Sequence, residues 1–106
     1  MNSKEFLLSL PEKVNEDVLT DLETNFHFVI SEDNTTHEIT VKVEDGKCIA
    51  EEGLHGDANC VVKSSENNLT KILKGELNPM MAILTGKLKI SNQGEMLKYA
   101  KIFGLM

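Results

Sequence analysis

The chain has no tryptophan, only 5% aromatic residues, and no apolar run approaching the length of a membrane span. Its core must therefore come largely from Leu, Ile, Val and Met. Cysteine is scarce as well. Cys48 and Cys60 are the only two, at a separation that fits neither a zinc site nor a redox motif. Both sit in strand-like segments, where a free thiol behaves as a small apolar residue. Basic residues number 11 against 17 acidic ones, and the net charge of −6 argues against a nucleic-acid binder or a constitutive binder of anionic membranes. Residues 1–30 lack a basic stretch followed by an apolar one, so no secretory leader is expected and the cytoplasm is the expected compartment.

Recognisable catalytic motifs are missing too. His27, His37 and His55 are scattered, and none stands beside a carboxylate and a nucleophile in a known pattern; they read as surface or satisfied residues. His55 has Glu51, Glu52 and Asp57 nearby, but an acidic loop beside one histidine is a weak metal signal, and no metal site is expected. Gly53-Leu54-His55-Gly56 follows a strand but opens another strand rather than a helix, which excludes a phosphate loop. Glu95 is the one acid placed near enough to the apolar segments to serve a small isomerase. No catalytic residue and no cofactor are expected.

What is present is one core's worth of patterned sequence. At 106 residues a single domain over 1–106 is expected, with 41% apolar and 26% charged residues, ordinary for a globular chain. The N-terminal segment reads as a short amphipathic helix with Ser3 as N-cap and Phe6, Leu7 and Leu10 on one face, ended or interrupted at Pro11. A short turn carrying Val18, Leu19 and Leu22 completes an apolar lid. Phe26, Phe28 and Ile30 then alternate with His27 and Val29, and Ile39, Val41 and Val43 with Thr40 and Lys42, the period of strands. Asp45-Gly46 is a hairpin turn, followed by strands over 47–52 and 58–63.

From Ser64 the period changes to that of a helix. Ser65 is an N-cap, Leu69, Ile72 and Leu73 form a stripe, and Gly75 occupies the position just past the helix end. Asn78-Pro79 starts a second, two-turn helix that Gly86 stops. A strand over 87–90 turns Leu88 and Ile90 inward, and a last helix from about Gln93 places Met96, Leu97, Ala100 and Phe103 on one face. This order is α+β with a five-stranded, mostly antiparallel sheet; the fifth strand, arriving after helices, is free to pair parallel with an earlier one.

The strongest remaining signal is apolar. Met80, Met81, Ile83 and Leu84 leave hardly any polar face on the two-turn helix, so burial on several sides or a place beside a cavity is expected. A filled core and an apolar pocket between helices and sheet both fit this pattern. Acidic residues crowd 12–57 while Lys87, Lys89, Lys98 and Lys101 make the C-terminal end basic. That asymmetry reads as solvated surface, or as a means of orienting the molecule near anionic headgroups.

The run Ala58-Asn59-Cys60-Val61-Val62-Lys63, then Leu73-Lys74-Gly75-Glu76-Leu77-Asn78-Pro79, Ala82 and Gly86-Lys87-Leu88-Lys89-Ile90-Ser91, resembles the sterol carrier protein type two family. Phe26, Phe28, the strand from Ile39 to Val43 and Asp45-Gly46-Lys47 fall in the expected order upstream. Asn92 and Met80 depart from it: many relatives carry glycine at the first position, and some carry a polar residue at the second. The resemblance implies a helix-covered sheet enclosing an apolar pocket that takes sterols, fatty acids or fatty acyl thioesters. It points to Met80, Met81, Ile83, Leu84, Met96, Leu97, Ala100 and Phe103 as ligand-binding residues, with Phe26, Phe28 and Ile39 from the sheet. Non-enzymatic lipid binding or transfer is the implied function, with transient membrane contact and a homodimer left open. The alternative is a structural or dimerisation module for a partner enzyme, with a filled core.

Overall fold

The computed structural model describes residues 3–14, 16–19 and 21–99. Its elements run α1 (Ser3–Lys13), a 3-10 turn (Glu16–Leu19), β1 (Thr24–Glu32), β2 (Thr35–Glu44), β3 (Lys47–Glu52), β4 (Cys60–Ser65), α2 (Glu66–Leu73), α3 (Pro79–Leu84), β5 (Leu88–Ile90) and α4 (Gln93–Tyr99). The strands form one sheet in the order β3-β2-β1-β4-β5.

Alternation sorts the sheet residues onto two faces. Phe26 sits opposite Val41, and Phe28 opposite Ile39, in the antiparallel β1–β2 pair. Phe26 and Phe28 also neighbour Cys60 and Val62 of β4. All six are buried, and Leu7, Leu10, Leu69, Ile72, Leu88, Met96 and Tyr99 close over them as one core. Burial of such a side chain contributes about 1.5–3 kcal/mol, so this inner face is what holds the helices down.

Helix α1 turns Leu7 and Leu10 to that face and is tied down at its start, where the Ser3 N–H donates to Glu66 Oε1 at 2.8 Å. Lys4 forms an ion pair with Glu52 on β3. Pro11 does not end the helix. Only its own N–H is lost, and the ladder resumes with Val14 N–H donating to the Leu10 carbonyl at 3.0 Å.

The mostly antiparallel α+β sheet is as expected, but the parallel pair is elsewhere. β5 pairs antiparallel with β4, and it is β4 that lies parallel to β1. Parallel neighbours ordinarily need a crossover of a dozen residues or more. Here β2, β3 and residues 53–59 together make that crossover, and 53–59 run from β3 to β4 as a strap across the outer face of the sheet, where an extended segment of that length reaches about 23–25 Å. Polar anchors fix each step. Gly53 N–H donates to the Glu38 carbonyl at 2.7 Å, and His55 N–H donates to Thr40 Oγ1 at 2.9 Å. Thr40 Oγ1 in turn donates to the Gly53 carbonyl at 2.8 Å. His27 Nε2 and Asn25 Nδ2 both donate to the His55 carbonyl at 2.9 Å, and Asn59 N–H donates to the Asn25 carbonyl at 2.7 Å. This explains how a threonine and a histidine come to be buried on the outer side of the sheet.

Candidate functional site

The segment from Lys71 to Lys89 is built by local signals that all agree. Gly75 adopts φ +80°, which a side chain would resist, and the reversed chain lets Glu76 and Leu77 N–H both donate to the Lys71 carbonyl. Asn78 Oδ1 then accepts from Met80 N–H at 2.8 Å, with Pro79 in the first turn where its missing N–H costs nothing. At the far end Thr85 Oγ1 donates to the Met81 carbonyl at 2.8 Å, and Lys87 N–H donates to the Ala82 carbonyl at 2.8 Å as the chain enters β5. α3 is thus a short, firmly closed helix.

Two expectations stood for this helix, burial on several sides or a place beside a cavity, and its orientation overturns the first. Ala82 is fully buried and Ile83 packs at the edge of the core, while Met80, Met81 and Leu84 are 60%, 53% and 76% exposed. Met80 and Met81 stand four and three residues before Leu84, so both neighbour it on the helix surface, and all three are open among the described residues. Exposed large apolar side chains grouped on one element mark a surface that meets something.

α4 presents a second correction. Asn92 Oδ1 accepts from Glu95 N–H at 3.1 Å, so the residue that departs from the family pattern serves as this helix's cap. Met96 and Tyr99 are buried, whereas Leu97 is 65% exposed and does not join them in the core. Tyr99 does what the sequence reading missed. Its hydroxyl donates to the Glu23 carbonyl at 3.1 Å and its ring meets Phe26 edge-on at 5.7 Å. Its spacing of three from Met96 is the signal that identifies it. Glu95 Oε2 accepts from Thr24 Oγ1 at 2.6 Å and Oε1 lies 3.7 Å from Lys98 Nζ, so this carboxylate anchors α4 to β1.

The proposed ligand residues therefore divide into groups. Phe26, Phe28, Ile39 and Met96 belong to one buried cluster with Ile83 at its edge, while Met80, Met81, Leu84 and Leu97 point to solvent. Ala100 and Phe103 lie outside the described residues. A cleft of about 750 Å³ opens beside Tyr99, lined by Leu22 but also by Asp21, Glu23, Asp45 and Lys98, a wall suited to polar contents. Burial pushes the Cys60 thiol above its ordinary range and away from nucleophilic reactivity. Among the described residues, no group of three or more His, Cys, Asp or Glu is placed to hold a metal ion, and no helix is long and apolar enough to cross a membrane.

Solved structures with the same arrangement bear out the architecture. The chain superposes with TM-score 0.76 on sterol carrier protein domain 2 of Helicoverpa armigera, at 18% identity over 94% of this chain and 81% of that one. Palmitated SCP2L2 of Aedes aegypti matches with TM-score 0.76 at 15% identity, covering 97% of this chain and 95% of that one. The sec-alkylsulfatase Pisa1 of a Pseudomonas species matches with TM-score 0.78 at 20% identity over 100% of this chain. This chain spans only 16% of that enzyme's length. No curated protein sequence matches. At these identities the superpositions speak for the fold alone. Sequence supplies the remainder: the profile of the SCP-2 sterol transfer family matches residues 4–106, nearly end to end, and the chain belongs to that family, whose domains bind and transfer lipids.

Proposed function

We propose that this chain is a non-enzymatic lipid carrier whose cargo is a fatty acid, a fatty acyl thioester or a sterol-like molecule. The observation that carries the reading is α3, which offers Met80, Met81 and Leu84 outward and Ile83 inward against the core. An acyl chain entering along α3 would meet Ile83 first, then the cluster of Phe26, Phe28, Ile39 and Met96. Leu97, Ala100 and Phe103 belong to the same proposed site on α4 and beyond. Each buried methylene contributes about 0.8 kcal/mol, so affinity needs no reactive group. Flexible thioethers adapt to several chain lengths. A cytoplasmic location is part of this reading and suits the free thiols of Cys48 and Cys60.

Native mass spectrometry of the purified protein, before and after organic extraction, tests the proposal. A co-purified lipid is expected, together with micromolar displacement of a fluorescent fatty acid by palmitate, the acid implied by the name of the Aedes relative. Ile83→Asp is expected to weaken that binding at least tenfold. Neither bound lipid nor displacement would sink the reading. The alternative, a module serving a larger enzyme, draws on the alkylsulfatase match and predicts a stable protein complex in place of bound lipid.

A further inference from the structure

β3 is one edge of the sheet and β5 the other, and the two edges differ. β5 is three residues long with exposed Lys89 at its centre, a short charged edge of the kind that discourages pairing. β3 is six residues long and carries no proline. Its ladder fixes which backbone groups are free. Gly53 N–H donates to the Glu38 carbonyl, so in the same register Lys47, Ile49 and Glu51 are the residues that bond β2. The N–H and C=O groups of Cys48 and Ala50 therefore point away from the sheet, and no hydrogen-bond partner for them stands among the described residues. The Glu52 carbonyl points the same way but accepts from His55 Nε2 at 2.8 Å, which closes that end of the edge.

Side chains along β3 are sorted as well. Cys48 and Ala50 pack against the core, which puts Lys47, Ile49 and Glu51 on the outer face. Ile49 has no place in the core cluster, and exposed Lys47 and Glu51 flank it at equal spacing with opposite charge.

We propose that β3 is a homodimerisation edge, pairing antiparallel with β3 of a second copy about a two-fold axis at Ile49. In this register Cys48 exchanges two hydrogen bonds with Ala50 of the second copy, and symmetry repeats them at Ala50. The two Ile49 side chains meet as a non-hydrogen-bonded pair, the kind whose side chains approach most closely. Each Lys47 faces Glu51 of the other copy, so the charge pattern complements its own reversal, and that identifies the occupant as this same chain. A shift of two residues either way sets Ile49 against Glu51 or against Lys47, and the first also needs the Glu52 carbonyl that His55 holds. Lys4 already pairs with Glu52, the acid that would lie nearest the turn of the second copy at Asp45-Gly46. The product is one continuous sheet with five strands from each copy, and α3, which leads into β5 at the far edge, stays uncovered.

Sedimentation velocity of the full chain from about 1 µM to about 1 mM spans the affinity expected of so small an interface. A reversible dimer is expected. Ala50→Pro removes an N–H that makes no bond inside the chain, so it should keep the fold and raise the dissociation constant about tenfold or more. Lys47→Glu sets acid against acid twice and should weaken the dimer about tenfold, and adding Glu51→Lys should restore it. Ile49→Cys in a Cys48→Ala background should oxidise to a disulfide-linked dimer, since a pair of this kind has Cα atoms about 4.5 Å apart. Lys89→Glu on the opposite edge should change the constant less than twofold. Circular dichroism checks the fold of each variant, and if Ala50→Pro does not fold, the charge swap at two exposed positions still decides. A chain monomeric throughout the range, a dimer indifferent to Lys47→Glu, or one that Glu51→Lys fails to rescue overturns the proposal. So does a dimer that Lys89→Glu or Leu84→Ser dissolves.

Discussion

Tyr99 is the only tyrosine of the chain, so its phenol can be titrated without interference. Burial first, and then the negative charge of Glu95, raise its pKa. A raised value means the folded state holds the proton more tightly than the unfolded chain does. This contribution to stability is therefore complete below about pH 10 and is lost as pH climbs through the folded value. Tyrosinate absorbance should show a midpoint above that of the urea-unfolded protein, and a coincident or lower midpoint would contradict the buried placement. Tyr99→Phe keeps the ring against Phe26 but removes the donor to Glu23, and is expected to cost about 1 kcal/mol in denaturant unfolding. At this scale the sheet was easy to read, because Phe26, Phe28, Ile39 and Val41 alternate with polar or smaller neighbours and each proves buried. Tyr99, Leu97, Met80 and Leu84 were harder. Apolar periodicity counts which residues are greasy, and only the tertiary arrangement decides which of them have a neighbour.

Among the elements, the strap over residues 53–59 depends on one hydroxyl more than on any other group. Thr40 Oγ1 accepts from His55 N–H and donates to the Gly53 carbonyl, and it is buried. Thr40→Val preserves shape and leaves both backbone groups without that partner, at an expected cost of about 1–3 kcal/mol. Urea denaturation gives the magnitude, and faster amide exchange confined to 53–57 locates it. A loss below about 0.5 kcal/mol would show that Asn25 and His27 hold the strap unaided. The hairpin at Asp45-Gly46 and the caps at Ser65 and Asn78 were legible because each is a contract between residues two to four apart. The strap was not. Its partners lie 13 to 34 residues away, so a polar, glycine-flanked segment looked like an ordinary loop and the parallel neighbour of β4 was hidden with it.

For the whole molecule, the crowding of acids in the first part of the sequence sets a response to salt. Fourteen acidic residues among the first 59 repel one another, and salt screens that repulsion. The melting temperature is expected to rise by a few degrees from low to physiological sodium chloride. A fall would mean that attractive pairs such as Lys4–Glu52 and Lys98–Glu95 outweigh the crowding of acids.

The strap also imposes an order of assembly. Its anchors belong to β1 and β2, so β4 has no landing site until that hairpin stands. Pairs within the β1–β2–β3 meander close short loops, whereas Phe26 reaches Cys60 across more than thirty residues. During synthesis the meander thus emerges and pairs before α2, α3 and α4 exist to roof it. For that interval Phe26 and Phe28 lie open on a nascent sheet, and the newborn chain depends on α1, already made, to shade part of the surface that its later helices will close.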